Sequence, residues 1–254
     1  MDISMEGRVA FVTGGGGGMG RETARLLAGQ GARVAVCDLD GDAAAATGAA
    51  IEAAGGIAWT AALDVADPRA VDRAMADAAG ALGPVDALVN IAGIYRVAAL
   101  EDISDADWAR MFAVHVDGTF FCCRAALPGM VARRAGAIVN MSSLHALRGQ
   151  ANAAHYAAAK GAIIGLTKSI AREKGKLGIR ANAVAPGPID TELWRGAVPG
   201  DELDAAMAKR AEIIPVGRLG RAGEVAQTIV WLLTPAASYI TGQTIAIDGG
   251  EVMA

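Results

Sequence analysis

The chain has 254 residues, 53% of them hydrophobic and 20% charged, with a formal net charge of −4 and a pI near 5.4. This composition supports a large buried core and argues against disorder; the acidic balance argues against a nucleic-acid surface, which needs a concentrated basic face. No apolar run reaches membrane-span length, and the start of the chain has no signal-like apolar stretch. The three cysteines, Cys37, Cys122 and Cys123, lack metal-ligand spacing, so a cytoplasmic protein without metal is expected.

In chain order, a β-rich run at residues 8–13 leads into Thr13-Gly14-Gly15-Gly16-Gly17-Gly18-Met19-Gly20, and helical periodicity follows over 19–30. A second strand is predicted at 33–37, an Ala-rich helix at 42–54 stopped by Gly55-Gly56, and a third strand at 57–63, with Pro68 in the first turn of the next helix. Apolar strands at 87–91 and 137–141 enclose a long helical stretch expected to break near Pro128-Gly129. The strongest helical pattern covers 151–174, and a strand follows at 179–185. Residues 186–215 are rich in Pro and Gly; 187–215 is predicted as a lid over a substrate site. A helix at 222–233 and a strand at 244–247 close the chain.

Continuous apolar strands alternating with helices predict an α/β fold: a Rossmann-type, doubly wound parallel sheet of about seven strands with helices on both faces. No linker or repeat divides the chain, so 1–254 is read as one domain.

A glycine run between a strand and a helix lets the backbone approach a pyrophosphate, and the helix start supplies N–H donors. Gly14, Gly18, Met19 and Gly20 are therefore expected to bind a dinucleotide. Asp38, with Leu39 beside it, ends the second strand about 20 residues on, where a carboxylate accepts ribose hydroxyls and repels a 2′-phosphate. This favours NAD over NADP, unless Asp38 merely caps the following turn. Ligands in open α/β sheets sit beyond the carboxyl ends of the strands, which places Asp64 and Val65 at the adenine and Asn90 and Gly93 at the ribose. Asn90 as an ordinary turn residue is the alternative.

Tyr156 and Lys160 are spaced i, i+4 in the strongest helix, so the phenol and the ammonium share a face. A neighbouring cation favours phenolate and is expected to bring tyrosine toward the range useful for acid/base work. Ser142-Ser143 follows the strand before this helix and is placed to hold a substrate oxygen.

Thr-Gly-x3-Gly-x-Gly at Thr13 to Gly20, Asn-x-Ala-Gly at Asn90 to Gly93, Ser143 thirteen residues before Tyr156, and Tyr-x3-Lys resemble the short-chain dehydrogenase/reductase family. The segments Asn182 to Thr191 and Tyr239 to Gly250 carry the likeness over essentially the whole chain. The resemblance implies that Tyr156 is the general acid or base and that Lys160 binds the nicotinamide ribose and lowers the Tyr156 pKa. It implies that Ser143 holds the substrate oxygen and that Pro186, Gly187, Ile189 and Thr191 border the nicotinamide. The ending 242–254 resembles a segment packed between subunits of tetrameric relatives, so a homotetramer is expected.

One position departs from the family pattern: Val114-His115-Val116-Asp117-Gly118-Thr119 places His115 where many members carry a catalytic Asn. His115 either maintains a proton relay behind Lys160 with altered pH dependence or fills the helix interior. His145, Tyr95, Gln150 and Trp194 are pocket candidates by position, with Ile94, Leu147, Pro188 and Leu193 as further ones. His155 is expected to face packing or an interface.

The leading expectation is an NAD-dependent enzyme that interconverts a small secondary alcohol and a ketone. A β-ketoacyl thioester reductase is the alternative, with Arg133, Arg134 and Arg172 in segments that dock acidic carrier proteins in such reductases. A catalytically silent NAD(H)-sensing protein would usually lose Tyr or Lys, both of which are present here. A sugar epimerase would be longer.

Overall fold

The computed structural model describes residues 3–195, 200 and 203–253, together with the backbone but not the side chains of Leu193 and Trp194. Strands β1 (Val9–Thr13), β2 (Arg33–Asp38), β3 (Ile57–Ala62), β4 (Ala87–Asn90), β5 (Gly136–Met141), β6 (Ile179–Pro186) and a last strand at Thr244–Ile247 form one sheet. Every pair in it is parallel, in the order β3-β2-β1-β4-β5-β6 followed by the last strand. This is the doubly wound α/β sheet expected from the apolar runs.

The pleat divides each strand between two cores. Val9 and Phe11 of β1 enter one cluster with Val71, Leu82, Met130 and Ile138. Ala10 and Val12 enter the other with Leu27, Val34, Ile229 and Leu233. The first cluster lies under α3 (Pro68–Leu82), α5 (Gly118–Arg133) and α7 (Ala154–Lys174). The second lies under α1 (Gly18–Gly29), α2 (Gly41–Ala53) and the late helix Ala222–Leu233. Removing each large aliphatic side chain from water contributes about 1.5–3 kcal/mol, and the abundant alanines let helices approach the sheet closely.

Helix starts follow local chemistry. Asp40 accepts from the Asp42 and Ala43 N–H groups at the start of α2, and Asp67 caps α3 ahead of Pro68. The expected break at Pro128 does not occur, because α5 runs through it. Arg124, whose carbonyl loses its bond to the missing proline N–H, is exposed like Pro128, so water can serve that carbonyl while buried Ala126 and Met130 hold the helix. The irregularity lies earlier: α4 (Asp105–Phe112) joins α5 through a π-helical turn at Ala113–Asp117.

Beyond β6 come β7 (Ile189–Asp190), α8 (Glu192–Arg195), α9 (Leu203–Ile213), β8 (Gly220–Arg221) and α10 (Ala222–Leu233); the closing strand is β9. β7 pairs with β8 in a separate two-stranded sheet that the sequence pattern did not suggest. The three cysteines are buried and free. No helix among the described residues is long and apolar enough to cross a membrane, and no cluster of three His, Cys, Asp or Glu among them could hold a metal.

Candidate active site

Two cavities open at the carboxyl ends of the strands, one of about 450 Å³ and one of about 440 Å³. Met19, Met141, Tyr156 and Thr191 line both.

The first cavity lies over the glycine loop. Of the residues expected at a dinucleotide, Gly14, Gly18, Met19, Asp38, Leu39, Asp64, Val65, Gly93, Tyr156, Lys160 and Thr191 line it. Gly20 lies behind it, where a Cβ would collide with the Gly14 carbonyl, so only glycine lets α1 start against the loop. Gly17 caps α1 without a side-chain acceptor, and the first turn has no acid, which leaves the positive end of the helix dipole facing the cavity. Asp38 Oδ2 accepts from the Gly16 N–H at 2.9 Å, and Oδ1 accepts from Asp40 N–H at 3.0 Å. The carboxylate thus braces the turn and also faces the cavity. A glycine cradle, a helix start whose N-cap is a glycine and a carboxylate one strand over fit a dinucleotide.

Asn90, expected at the ribose, does not line this cavity. Its Nδ2 donates to Asn140 Oδ1 at 2.8 Å, which ties β4 to β5 inside the protein. The sequence reading overlooked Arg21 and Arg110 in the lining. Arg21 pairs with Glu192, and Arg110 lies 3.6 Å from Asp64.

The second cavity is lined by Ser143, His145, Tyr95, Gln150 and Pro188 from the expected substrate pocket. Pro186, Gly187 and Ile189, expected at the nicotinamide, line this cavity as well. Ile94 belongs to the first cavity, and Leu147 lines neither. The Trp194 and Leu193 side chains lie outside the described residues.

Tyr156 stands on the shared wall. Its ring meets Tyr95, His115 and His145 edge-on, at centroid distances of 5.1, 5.4 and 5.8 Å. Ser143 Oγ accepts from His145 N–H at 3.2 Å, which leaves its hydroxyl proton free to favour the ionised Tyr156 phenol beside it. Ser142 packs behind, donating to the Lys160 carbonyl at 2.9 Å.

Lys160 Nζ lies 5.6 Å from the Tyr156 ring centroid and donates to the Met141 carbonyl at 2.7 Å. Burial pushes the phenol up to about 12 against the opposing Ser143 hydrogen bond, and burial pulls Lys160 down to about 7. The amine is itself desolvated and is neutral at the high pH where a phenol held near 12 ionises, so it lends that phenolate little charge.

His115 sits in the π-helical turn, 1% exposed. Its Nε2 is 2.8 Å from the Ile94 carbonyl, to which it donates in one tautomer, and Nδ1 has no partner. Burial, with the Lys160 charge adding to it, holds the imidazole well below its usual pKa. His155 is completely buried.

A family model described as Enoyl-(Acyl carrier protein) reductase matches residues 15–251. The chain belongs to the short-chain dehydrogenase/reductase family. It is 38% identical to a sorbitol dehydrogenase of Cereibacter sphaeroides over 99% of this chain and 100% of that protein. It is 36% identical to the 3-oxoacyl-(acyl-carrier-protein) reductase FabG of Vibrio cholerae over 99% and 100% of the two chains. A crystal structure of a short-chain dehydrogenase/reductase described as a glucose/ribitol dehydrogenase from Brucella melitensis superposes with a TM-score of 0.90 at 35% identity, covering both chains completely. The chain is thus an oxidoreductase of a family that uses NAD or NADP.

Proposed function

We propose that this protein is an NAD(H)-dependent oxidoreductase that interconverts a secondary alcohol and a ketone. The observation that carries this reading is Tyr156, which lines both cavities and stands beside Ser143 in the second. The dinucleotide would supply the two-electron acceptor, taking hydride from the alcohol carbon while the hydroxyl proton leaves through Tyr156.

In the reducing direction, a phenol held near 12 is protonated at neutral pH and can donate to the forming alkoxide. Ser143 would hydrogen-bond the same oxygen as its charge grows. Lys160 would hold the nicotinamide ribose beside Tyr156. NAD is preferred in this reading because the Asp38 carboxylate faces the first cavity beside Gly16, where a 2′-phosphate would meet like charge.

The likeness to a 3-oxoacyl-(acyl-carrier-protein) reductase supports a second reading, a β-ketoacyl thioester substrate. Two of the three arginines expected to dock a carrier have structural partners: Arg133 donates to the Val85 carbonyl at 2.7 Å, and Arg134 to the Lys176 carbonyl at 2.8 Å, while Arg172 is exposed. Alcohol/ketone chemistry is therefore placed first. A homotetramer belongs to the same proposal, supported by exposed Phe120 and by the apolar groove between α5 and α7 that includes Leu127 and Leu166; light scattering tests it.

The deciding experiment is a screen of alcohols, ketones and a β-ketoacyl thioester with NAD(H) and NADP(H). A Tyr156→Phe control is expected to lose about 10²-fold or more in turnover. Asp38→Ser is expected to erode the preference for NAD. An unchanged cofactor ratio in Asp38→Ser, or full activity in Tyr156→Phe, overturns the corresponding assignment.

A further inference from the structure

The second cavity has a polarity that alcohol/ketone chemistry does not require. Among the described side chains that line it, the charged ones are Arg148, at the end of the short helix α6 (His145–Arg148), and Arg210 of α9. Both reach the same carboxylate oxygen: Glu251 Oε1 is 2.9 Å from Arg148 Nη2 and 2.5 Å from Arg210 Nη2. Glu251 does not line the cavity, its side chain is 3% exposed, and its second oxygen has no hydrogen-bond partner among the described residues. The carboxylate therefore sits behind two guanidinium groups and neutralises one of them, which leaves the three described charged groups with one net positive charge at the cavity wall. Each guanidinium carries five N–H donors in a planar fork, so one shared oxygen leaves most of these donors unused.

The cluster is close to the reacting position. His145 lies 5.8 Å from the Tyr156 ring, and its Nδ1 is buried without a partner. Both arginines are near enough to His145 for their charges to reinforce burial in pulling the imidazole down to about 4, so it stays neutral and adds no competing charge. Two guanidinium groups that converge from separate helices on a cavity wall present the forked donors that an oxyanion needs.

We propose that the second cavity takes an alcohol or ketone carrying an oxyanion, a carboxylate or a phosphate ester, at the end remote from the reacting carbon, and that Arg148 and Arg210 bind that anion. This rests on the alcohol/ketone reading of Tyr156 and names its substrate class. Neutral polyols and simple ketones are the excluded class.

The test compares matched substrates that differ in charge: β-hydroxybutyrate with its amide, and glycerol phosphate with glycerol methyl ether. In the wild-type protein the kcat/KM ratio of anion to neutral analogue is expected to exceed about 10 for at least one pair, and the pair that responds identifies carboxylate or phosphate ester. Arg148→Gln and Arg210→Gln are expected to lower that ratio about ten-fold or more through KM. Glu251→Gln, which removes the competing carboxylate, is expected to raise it. A wild-type ratio near one for both pairs overturns the proposal, as does a ratio that Arg148→Gln and Arg210→Gln leave unchanged in folded protein. A fall in Glu251→Gln that parallels the arginine variants shows a merely structural cluster and also overturns it.

Calorimetry with butyrate, butyramide and inorganic phosphate separates this from the reading beneath it. Arginine-dependent binding of butyrate or phosphate with no turnover of any alcohol or ketone supports the anion site and overturns the alcohol/ketone reading. Equal turnover of anions and neutral analogues overturns the anion site and leaves that reading standing.

Discussion

Lys160 donates to the carbonyl of Met141 at 2.7 Å, across the junction between α7 and the end of β5. Burial pulls the amine down to about 7, whereas an unfolded lysine titrates near about 10.4. Between these values the unfolded chain holds a proton that the folded chain has released, so the site's contribution to stability rises with pH across that window. Below about 7 both states are protonated and the folded state bears the full cost of a buried charge. Relative to Lys160→Met, the ligand-free wild-type protein should gain on the order of 1 kcal/mol of stability per pH unit from pH 7 toward 10. Urea unfolding at a series of pH values reads this directly, and a pH-independent difference contradicts it.

Gly93 and His115 are packed with no room between them: a Cβ on Gly93 would overlap Cε1 of the imidazole. Gly93→Ala should destabilise by about 1–3 kcal/mol through overpacking. His115→Ala empties the contested space, so Gly93→Ala made in that background should be much less harmful. Additive losses in the double-mutant cycle would show that the strain is not between these two residues.

The same ring bears on the pH–rate profile. His115 is held well below its usual pKa, with burial as the largest cause, so it remains neutral throughout the range above pH 6.5. His115→Asn should therefore leave the acid limb of kcat/KM unmoved between pH 6.5 and 9, whatever it does to turnover. A displaced limb would show that His115 titrates in the working enzyme.

Glu192 stands at the opening of α1. Its carboxyl is held below the usual range by its own backbone N–H and by Arg21, with a smaller contribution from Gly18 N–H. An anion arriving at that helix start meets this charge. Glu192→Gln should tighten NADH binding about two- to five-fold at low ionic strength, measured by the cofactor's fluorescence. Weaker binding in the variant would mean that Glu192 organises the site.

The features legible in the sequence are those carried by local spacing. β1 and β4 read as apolar runs because both their faces are buried, and Tyr156 with Lys160 read as a pair because one helical turn joins them. Arg148, Arg210 and Glu251 were not legible as a cluster, because they come from three segments brought together only by the chain after β6. Arg210 also lies in the stretch with the weakest periodicity. The helix break was misplaced to Pro128 because proline marks a break by default, whereas the π-helical turn around His115 leaves no compositional mark. Asn90 was read as a ligand from its strand-end position, but Asn140 in the adjacent register of β5 supplies its partner. Spacing reveals Lys160 as a neighbour of Tyr156, whereas the burial that raises the phenol and lowers the amine comes only from the packed fold.

Met19, Met141, Tyr156 and Thr191 are surfaces common to both cavities. On the proposed reading, whatever fills the first cavity becomes a wall of the second. The two reactants should then load in a compulsory order, dinucleotide before alcohol, and leave in reverse. Product-inhibition kinetics would register this as NADH competing with NAD+, while the ketone does not.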